Sequence, residues 1–163
     1  VATFKAVSSY AISGTFADTS LDHTEPTARI GKKLSQTWTS GTGANQANQW
    51  FADRRTVTAA SENLDMFGGL TDALGVTINF ATIREIVILN RSTTTAEILT
   101  ISGTALTNIL GGTSPTVKIG PGGKWVQGSP IDGFTITDTS ADVLTIDPGA
   151  ATITYDIFII GTV

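Results

Sequence analysis

Apolar side chains recur at every second position in four separate stretches of the chain. In Val76-Thr77-Ile78-Asn79-Phe80 this pattern sets three apolar residues on one face of an extended strand and two polar residues on the other. The same period runs through Phe134-Thr135-Ile136-Thr137, through Val117-Lys118-Ile119, and through Ile153, Tyr155, Ile157 and Ile159 against Thr152, Thr154 and Asp156. Each predicts a half-buried strand. Two stretches are apolar on both faces, Ile86 to Leu89 and the end of the last strand, where Phe158 and Ile160 fall on the face that Thr154 and Asp156 keep polar. These predict central or interface strands. Further strands are expected at 4–12, 29–39, 50–59, 98–101, 124–126 and 143–146, and short helical segments at 64–74 and 104–110. The expected core comprises Leu34, Val76, Ile78, Phe80, Ile86, Ile88, Phe134, Ile136, Ile153, Tyr155 and Ile157.

Turn chemistry separates these runs at short intervals. Gly41-Thr42-Gly43, Gly68-Gly69, Gly111-Gly112, Pro121-Gly122-Gly123, Asp132-Gly133 and Pro148-Gly149 mark places where the chain reverses. Many short strands with frequent reversals predict an all-β fold, an antiparallel β-sandwich of eight or more strands with less than about a tenth helix. The polar stretch Ser13 to Thr27 sets a strand-like segment, Phe4 to Ile12, apart from the rest of the chain. The predicted organisation is therefore an N-terminal arm, or first strand plus loop, over 1–28 and a jelly-roll-type β-sandwich over 29–163. On the arm, Phe4, Ala6, Tyr10 and Ile12 share one face, and an extended segment of that kind can add to a neighbour's sheet edge.

Composition narrows the partners. The 163 residues are 40% hydrophobic and 15% charged, enough for a sizeable core in one domain. A net charge of −4 argues against broad phosphate neutralisation, so nucleic acid is not an expected partner. No apolar run reaches the roughly 18 residues of a membrane span, and no signal-peptide organisation opens the chain, so no membrane role is expected. A start at Val1 fits removal of an initiator methionine.

Candidate chemistry is sparse. The absence of cysteine removes disulfides, thiolate metal sites and cysteine nucleophiles together. His23, between Asp22 and Glu25, is the sole histidine; with no second histidine the usual zinc set cannot form, and a solvated loop residue is expected. No G-x-S-x-G turn accompanies it. Asp138, Asp142 and Asp147 do not match the spacing of a calcium loop, and Gly41-Thr42-Gly43-Ala44-Asn45-Gln46 lacks the third glycine of a phosphate loop. Neither a catalytic site, a metal nor a cofactor is expected. Trp38, Trp50 and Trp125 could stack on sugar rings, but Trp38 continues the Ile30 and Leu34 face and the others adjoin Phe51 and Val126, which favours core packing or subunit contact.

The segment Gly41 to Ala47, followed by Trp50, Asp53-Arg54-Arg55-Thr56, Glu62-Asn63-Leu64-Asp65 and Gly68-Gly69-Leu70-Thr71-Asp72-Ala73, resembles a group of small tailed-bacteriophage and prophage proteins. The similarity continues through Ile78 to Arg84, Gly120-Pro121-Gly122-Gly123, Val143 to Ile146 and Tyr155 to Gly161, and so spans most of 29–161. It implies a jelly-roll capsid cement or decoration protein, made in the cytoplasm of a bacterial host and carried on the virion. Its partners would be the major capsid protein or other virion subunits, together with copies of itself in a homo-oligomer. The alternatives are a receptor- or glycan-binding fibre or tail knob, using loop residues such as Asn45, Gln46, Asn48 and Gln49, and a glycan-cleaving enzyme on the same fold. For a structural protein the expected contact residues are Phe4, Tyr10, Ile12, Asn45, Gln46, Phe158 and Ile160.

Overall fold

In the computed structural model, which describes residues 3–17 and 27–163, the chain is all-β apart from one short helix. It opens with two long strands, β1 (Lys5–Ala17) and β2 (Thr27–Ser40), paired antiparallel from Lys5↔Thr39 to Ala17↔Thr27. A two-residue strand β3 (Gln46–Ala47) runs parallel to the end of β2. The body comprises β4 (Gln49–Thr58), β5 (Glu62–Asp65), β6 (Phe67–Thr71), β7 (Thr77–Asn79), β8 (Thr82–Asn90), β9 (Leu99–Ser102), α1 (Ala105–Leu110), β10 (Val117–Ile119), β11 (Lys124–Gly128), β12 (Phe134–Thr135), β13 (Val143–Asp147) and β14 (Thr152–Thr162).

Two main antiparallel sheets make most of the body, one in the order β11-β8-β14-β4 with β12 also on β8, the other in the order β10-β9-β13-β5, and β6 and β7 pair in a separate two-stranded sheet. The two main sheets share a single core. Ile153, Tyr155, Ile157 and Ile159 of β14 and Ile86 and Ile88 of β8 come from the first sheet, while Leu99 and Ile101 of β9 and Leu144 and Ile146 of β13 come from the second. The period-2 alternation read from the sequence is what allows this, because every inward residue on β14 is apolar or, at Tyr155, amphipathic. The Tyr155 hydroxyl donates to Glu62 Oε2 at 2.8 Å, which satisfies its one polar atom at the edge of the core.

Nine of the eleven residues expected in the core lie in or against it, and the two exceptions are instructive. Val76 is 59% exposed because it closes a turn, its N–H donating to Asp72 Oδ1, and the buried alternation begins only at Ile78. Leu34 is 60% exposed because β2 does not join the body sheets. The unit that projects is thus the β1–β2 hairpin, ending at Ser40, rather than 1–28 alone. The helix expected at 64–74 is instead two successive strands, β5, which pairs with β13, and β6, which pairs with β7. Asp65 Oδ1 accepts from the Phe67 N–H, and Gly68, at φ 106°, takes a conformation that a helix lacks. The helix expected at 104–110 is α1. Among the described residues, no helix is long and apolar enough to cross a membrane.

Phe80 is fully buried and lies under Gly161, where a Cβ would run into its ring and into the Thr82 carbonyl oxygen. Phe80→Ala is expected to cost about 3–5 kcal/mol of folding stability, measured as a shift in the urea midpoint; a change within about 0.5 kcal/mol would show that the site tolerates the loss as a surface position does.

Candidate functional site

The hairpin has one apolar and one polar face. Opposed residues in an antiparallel pair point the same way, so the register Ala6↔Trp38, Tyr10↔Leu34, Ile12↔Lys32 and Gly14↔Ile30 gathers Ala6, Tyr10, Ile12, Ile30, Leu34 and Trp38 on one side. Val7 and Ala11 are apolar exceptions on the other side, which carries Lys5, Ser9, Ser13, Arg29, Lys33 and Ser35.

The near half of the apolar face is seated on the body. Trp38 is completely buried, and its Nε1–H donates to Ser8 Oγ at 2.9 Å across the hairpin. The Tyr10 hydroxyl donates to Glu85 Oε1 on β8. Burial, followed by the hydrogen bond and charge of that carboxylate, pushes the Tyr10 pKa well above the ordinary tyrosine value. Phe4, just before β1, lines a cavity of about 410 Å³ together with Trp50, Phe158 and Ile160. Those three belong to the outer face of the first sheet, the side away from the core, as Ile160↔Trp50, Phe158↔Val87 and Asp156↔Leu89 show.

That outer face is divided. Toward one end lie Trp50, Val87, Phe158 and Ile160; toward the other, Asp156 takes Arg54 Nε at 2.6 Å and Arg91 at 3.5 Å. The Arg54 guanidinium is the main cause that holds the Asp156 carboxyl below its ordinary value.

The far half of the hairpin stands clear of the body. Residues 11–15 and 28–35 are exposed at every position, with Ile12 75% and Ile30 70% exposed. Its root, in contrast, is fixed. Buried Arg84 donates to the Ile131, Thr42 and Gly43 carbonyls, at 2.6, 2.9 and 3.1 Å, and the Asn45 N–H donates to the Pro130 carbonyl at 2.7 Å. A guanidinium held by carbonyls from two loops ties the end of β2 to the loop before β12. The result is a rigidly rooted two-stranded arm whose distal apolar face meets no part of its own chain among the described residues.

Of the contact residues named from the sequence, Phe4, Phe158 and Ile160 come together in one groove, Tyr10 seats the arm beside it, and Ile12 lies on the free half. Asn45 and Gln46 sit in the root turn: Asn45, at φ 58°, accepts from Gln36 Nε2 at 3.1 Å, and Gln46 Oε1 accepts from the Gly43 N–H at 2.9 Å. The side-chain oxygens of Asn48 and Gln49 likewise accept from the Val163 and Asn79 N–H groups. Sequence reasoning did not find Glu85 or Ile30. Ile30 was within reach, because pairing the two apolar alternations across the Ser13–Thr27 stretch puts it beside Ile12. His23, Asp22 and Glu25 lie outside the described residues, and among the described ones no three acidic or histidine side chains gather as a metal site would require.

The chain has two tyrosines, and burial beside Glu85 or Glu62 raises both. A raised folded-state pKa contributes stability that is complete below the unfolded value of about 10 and is lost as pH climbs through the folded value. Tyrosinate absorbance is therefore expected at higher pH in the folded protein than in the same chain in denaturant; coincident titrations would contradict the seating of both hydroxyls. Tyr10→Phe, which leaves Glu85 without its donor, should cost about 1–3 kcal/mol at neutral pH and speed amide exchange along the near half of β1.

No protein-family model, curated protein or solved structure matches the chain.

Proposed function

We propose that this protein is a non-enzymatic structural component of a tailed-bacteriophage-type virion, a cement or decoration protein that binds and stabilises neighbouring coat subunits. The single observation that carries the reading is the apolar face of a rigidly rooted arm, exposed beyond the body and uncovered by any of the described residues.

The body is in this reading a jelly roll. Support comes from strand order. With the eight main body strands β4, β5, β8, β9, β10, β11, β13 and β14 counted in sequence, one sheet takes the first, eighth, third and sixth, and the other takes the second, seventh, fourth and fifth. That interleaving is the double Greek key of jelly-roll folds, common among viral capsid and lectin domains. A fold alone does not assign a role; the resemblance of 29–161 to phage and prophage proteins and the arm together favour assembly. Synthesis in a bacterial cytoplasm and residence on the virion belong to the same reading, as does the absence of nucleic acid and membrane from its partners. A glycan-binding knob is the weaker alternative, because the loop amides it would use spend their side-chain oxygens inside the chain.

The test shortens the arm without stripping β1, whose loss would uncover Trp38. Replacing residues 11–33 by Asn-Gly keeps the Tyr10↔Leu34 pair and closes it with a two-residue hairpin turn. The shortened protein should keep the circular-dichroism spectrum and, within a few degrees, the melting temperature of the full chain. Its binding to particles stripped of the native protein should weaken about tenfold or more. Full occupancy by the shortened protein would rule out the arm as the attachment element.

A further inference from the structure

We propose that the free half of the arm docks on the outer sheet face of a second copy of this chain, so that copies are joined through their arms. This inference rests on the arm being an attachment element and names its first partner.

Continuity is the first argument. One apolar face runs the length of the hairpin, and its near half already meets one particular surface, the outer face of β8, β14 and β4, through Phe4 and Tyr10, with Trp38 buried beside them. The far half carries the same chemistry, Ile12, Ile30 and Leu34, past the end of that seat. A second copy presents the same kind of surface again, and it is not filled by its own arm: Trp50 and Phe158 are each 46% exposed on it. An overhanging surface and an unfilled seat of matching polarity thus exist on every copy. Reach is sufficient, since the seven β1 residues beyond Tyr10 extend roughly 23 Å at the rise of a strand.

Charge is the second argument. The arm strands carry Lys5, Arg29, Lys32 and Lys33 and no acid, the acids of this region being Asp18, Asp22 and Glu25 in the connection between them. After Ser40 the chain has eleven Asp and Glu against six Lys and Arg. Arm strands and body therefore attract between copies. Lys32 lies opposite Ile12 within the apolar face, and the net negative charge of the residues after Ser40 favours its approach to a second copy.

The mass of the full chain in solution is measured by light scattering after gel filtration, across a dilution series. The expected result is a multiple of 17.0 kDa. Ile12→Asp with Ile30→Asp damages the arm, and Phe158→Asp damages the seat. Each should weaken self-association about tenfold or more, while circular dichroism and melting temperature stay near those of the unaltered chain. In a mixture the Phe158→Asp copy keeps the distal arm residues Ile12, Ile30 and Leu34 and the other copy keeps the seat. The two variants should therefore associate with each other better than either does with itself, through one arm per pair and more weakly than the unaltered chain. Raised salt should weaken the assembly, as attraction between arm and body requires.

A full chain that stays at 17.0 kDa up to high micromolar concentration overturns the inference, as does assembly unaffected by either variant, or a pair of variants that associate with each other no better than each does with itself. Stripped particles separate this outcome from the functional reading. A monomeric chain that still binds them through its arm sinks the inference alone; an arm-linked oligomer that ignores them sinks the virion role alone.

Discussion

The two-faced character of β14 constrains everything else. It lies between β4 and β8, hydrogen-bonded along both edges, and its inward residues Ile153, Tyr155, Ile157 and Ile159 are fully buried. Burial of each aliphatic side chain is worth roughly 1.5–3 kcal/mol relative to exposure. A slip of one residue would exchange them for Thr154, Asp156 and Phe158, putting a carboxylate into the core. The register is further pinned by the irregularity between Ile160 and Gly161, where the glycine lets β14 pass close to Phe80 and Thr82. Once the inner face is fixed, the outer face is no longer adjustable. Phe158 and Ile160 must face away from the core, and the apolar outer face on which the near half of the arm is seated is a by-product of the strand that holds the core together.

The arm depends on that surface for half its length. Its near half has somewhere to go, since Tyr10 finds Glu85 and Phe4 finds the groove at Trp50 and Phe158. Arg84 then fixes the root from the other side, with a buried guanidinium ligated by backbone carbonyls alone. A guanidinium buried in this way costs desolvation that a surface arginine avoids, so the loops it joins gain definition at some expense of stability. The consequence is direction: the hairpin leaves the body at a set place, with its apolar face in line with the seat it has just left.

How far the sequence could be read depends on the same geometry. Alternation told where strands are and which residues share a face, and it held for Ile78, Phe80, Ile86, Ile88, Ile136 and the whole of β14, because those strands cover one another within the chain. It could not tell which molecule covers a face. Leu34 alternates as convincingly as Ile157, yet one lies on a free arm and the other in the core. The pattern named the apolar face correctly, and what it lacked was the strand pairing that sets this face on the hairpin instead of in the core. The 64–74 stretch failed for another reason: a short apolar run does not by itself separate helix from strand, and the choice was made by Asp65 turning its carboxylate onto the Phe67 N–H and by the glycines just after it. Asn45 and Gln46 looked available because polar residues in a glycine-rich turn usually are; that their oxygens would be used to close the turn depends on the conformation itself.

An exposed apolar ribbon with two largely unpaired edges is a hazard unless something restrains it. Lys5, Arg29, Lys32 and Lys33 supply the restraint, since like charges along the strands discourage arm-to-arm pairing while leaving attraction to an acidic body. Magnitude then limits what one arm can hold. Covering Ile12, Ile30 and Leu34, already partly shielded, yields about 3–6 kcal/mol gross, whereas bringing two molecules together costs about 4–15 kcal/mol in lost freedom. A single docked arm is therefore marginal by itself. Two arms exchanged between a pair, or one arm per copy around a closed ring, share a single association cost across several contacts, and on an ordered particle the lattice holds the copies at high effective concentration. An arm too weak to join two free molecules firmly would suit the proposed assembly, in which copies are held side by side, because it would let misplaced copies leave while those with every arm seated remain.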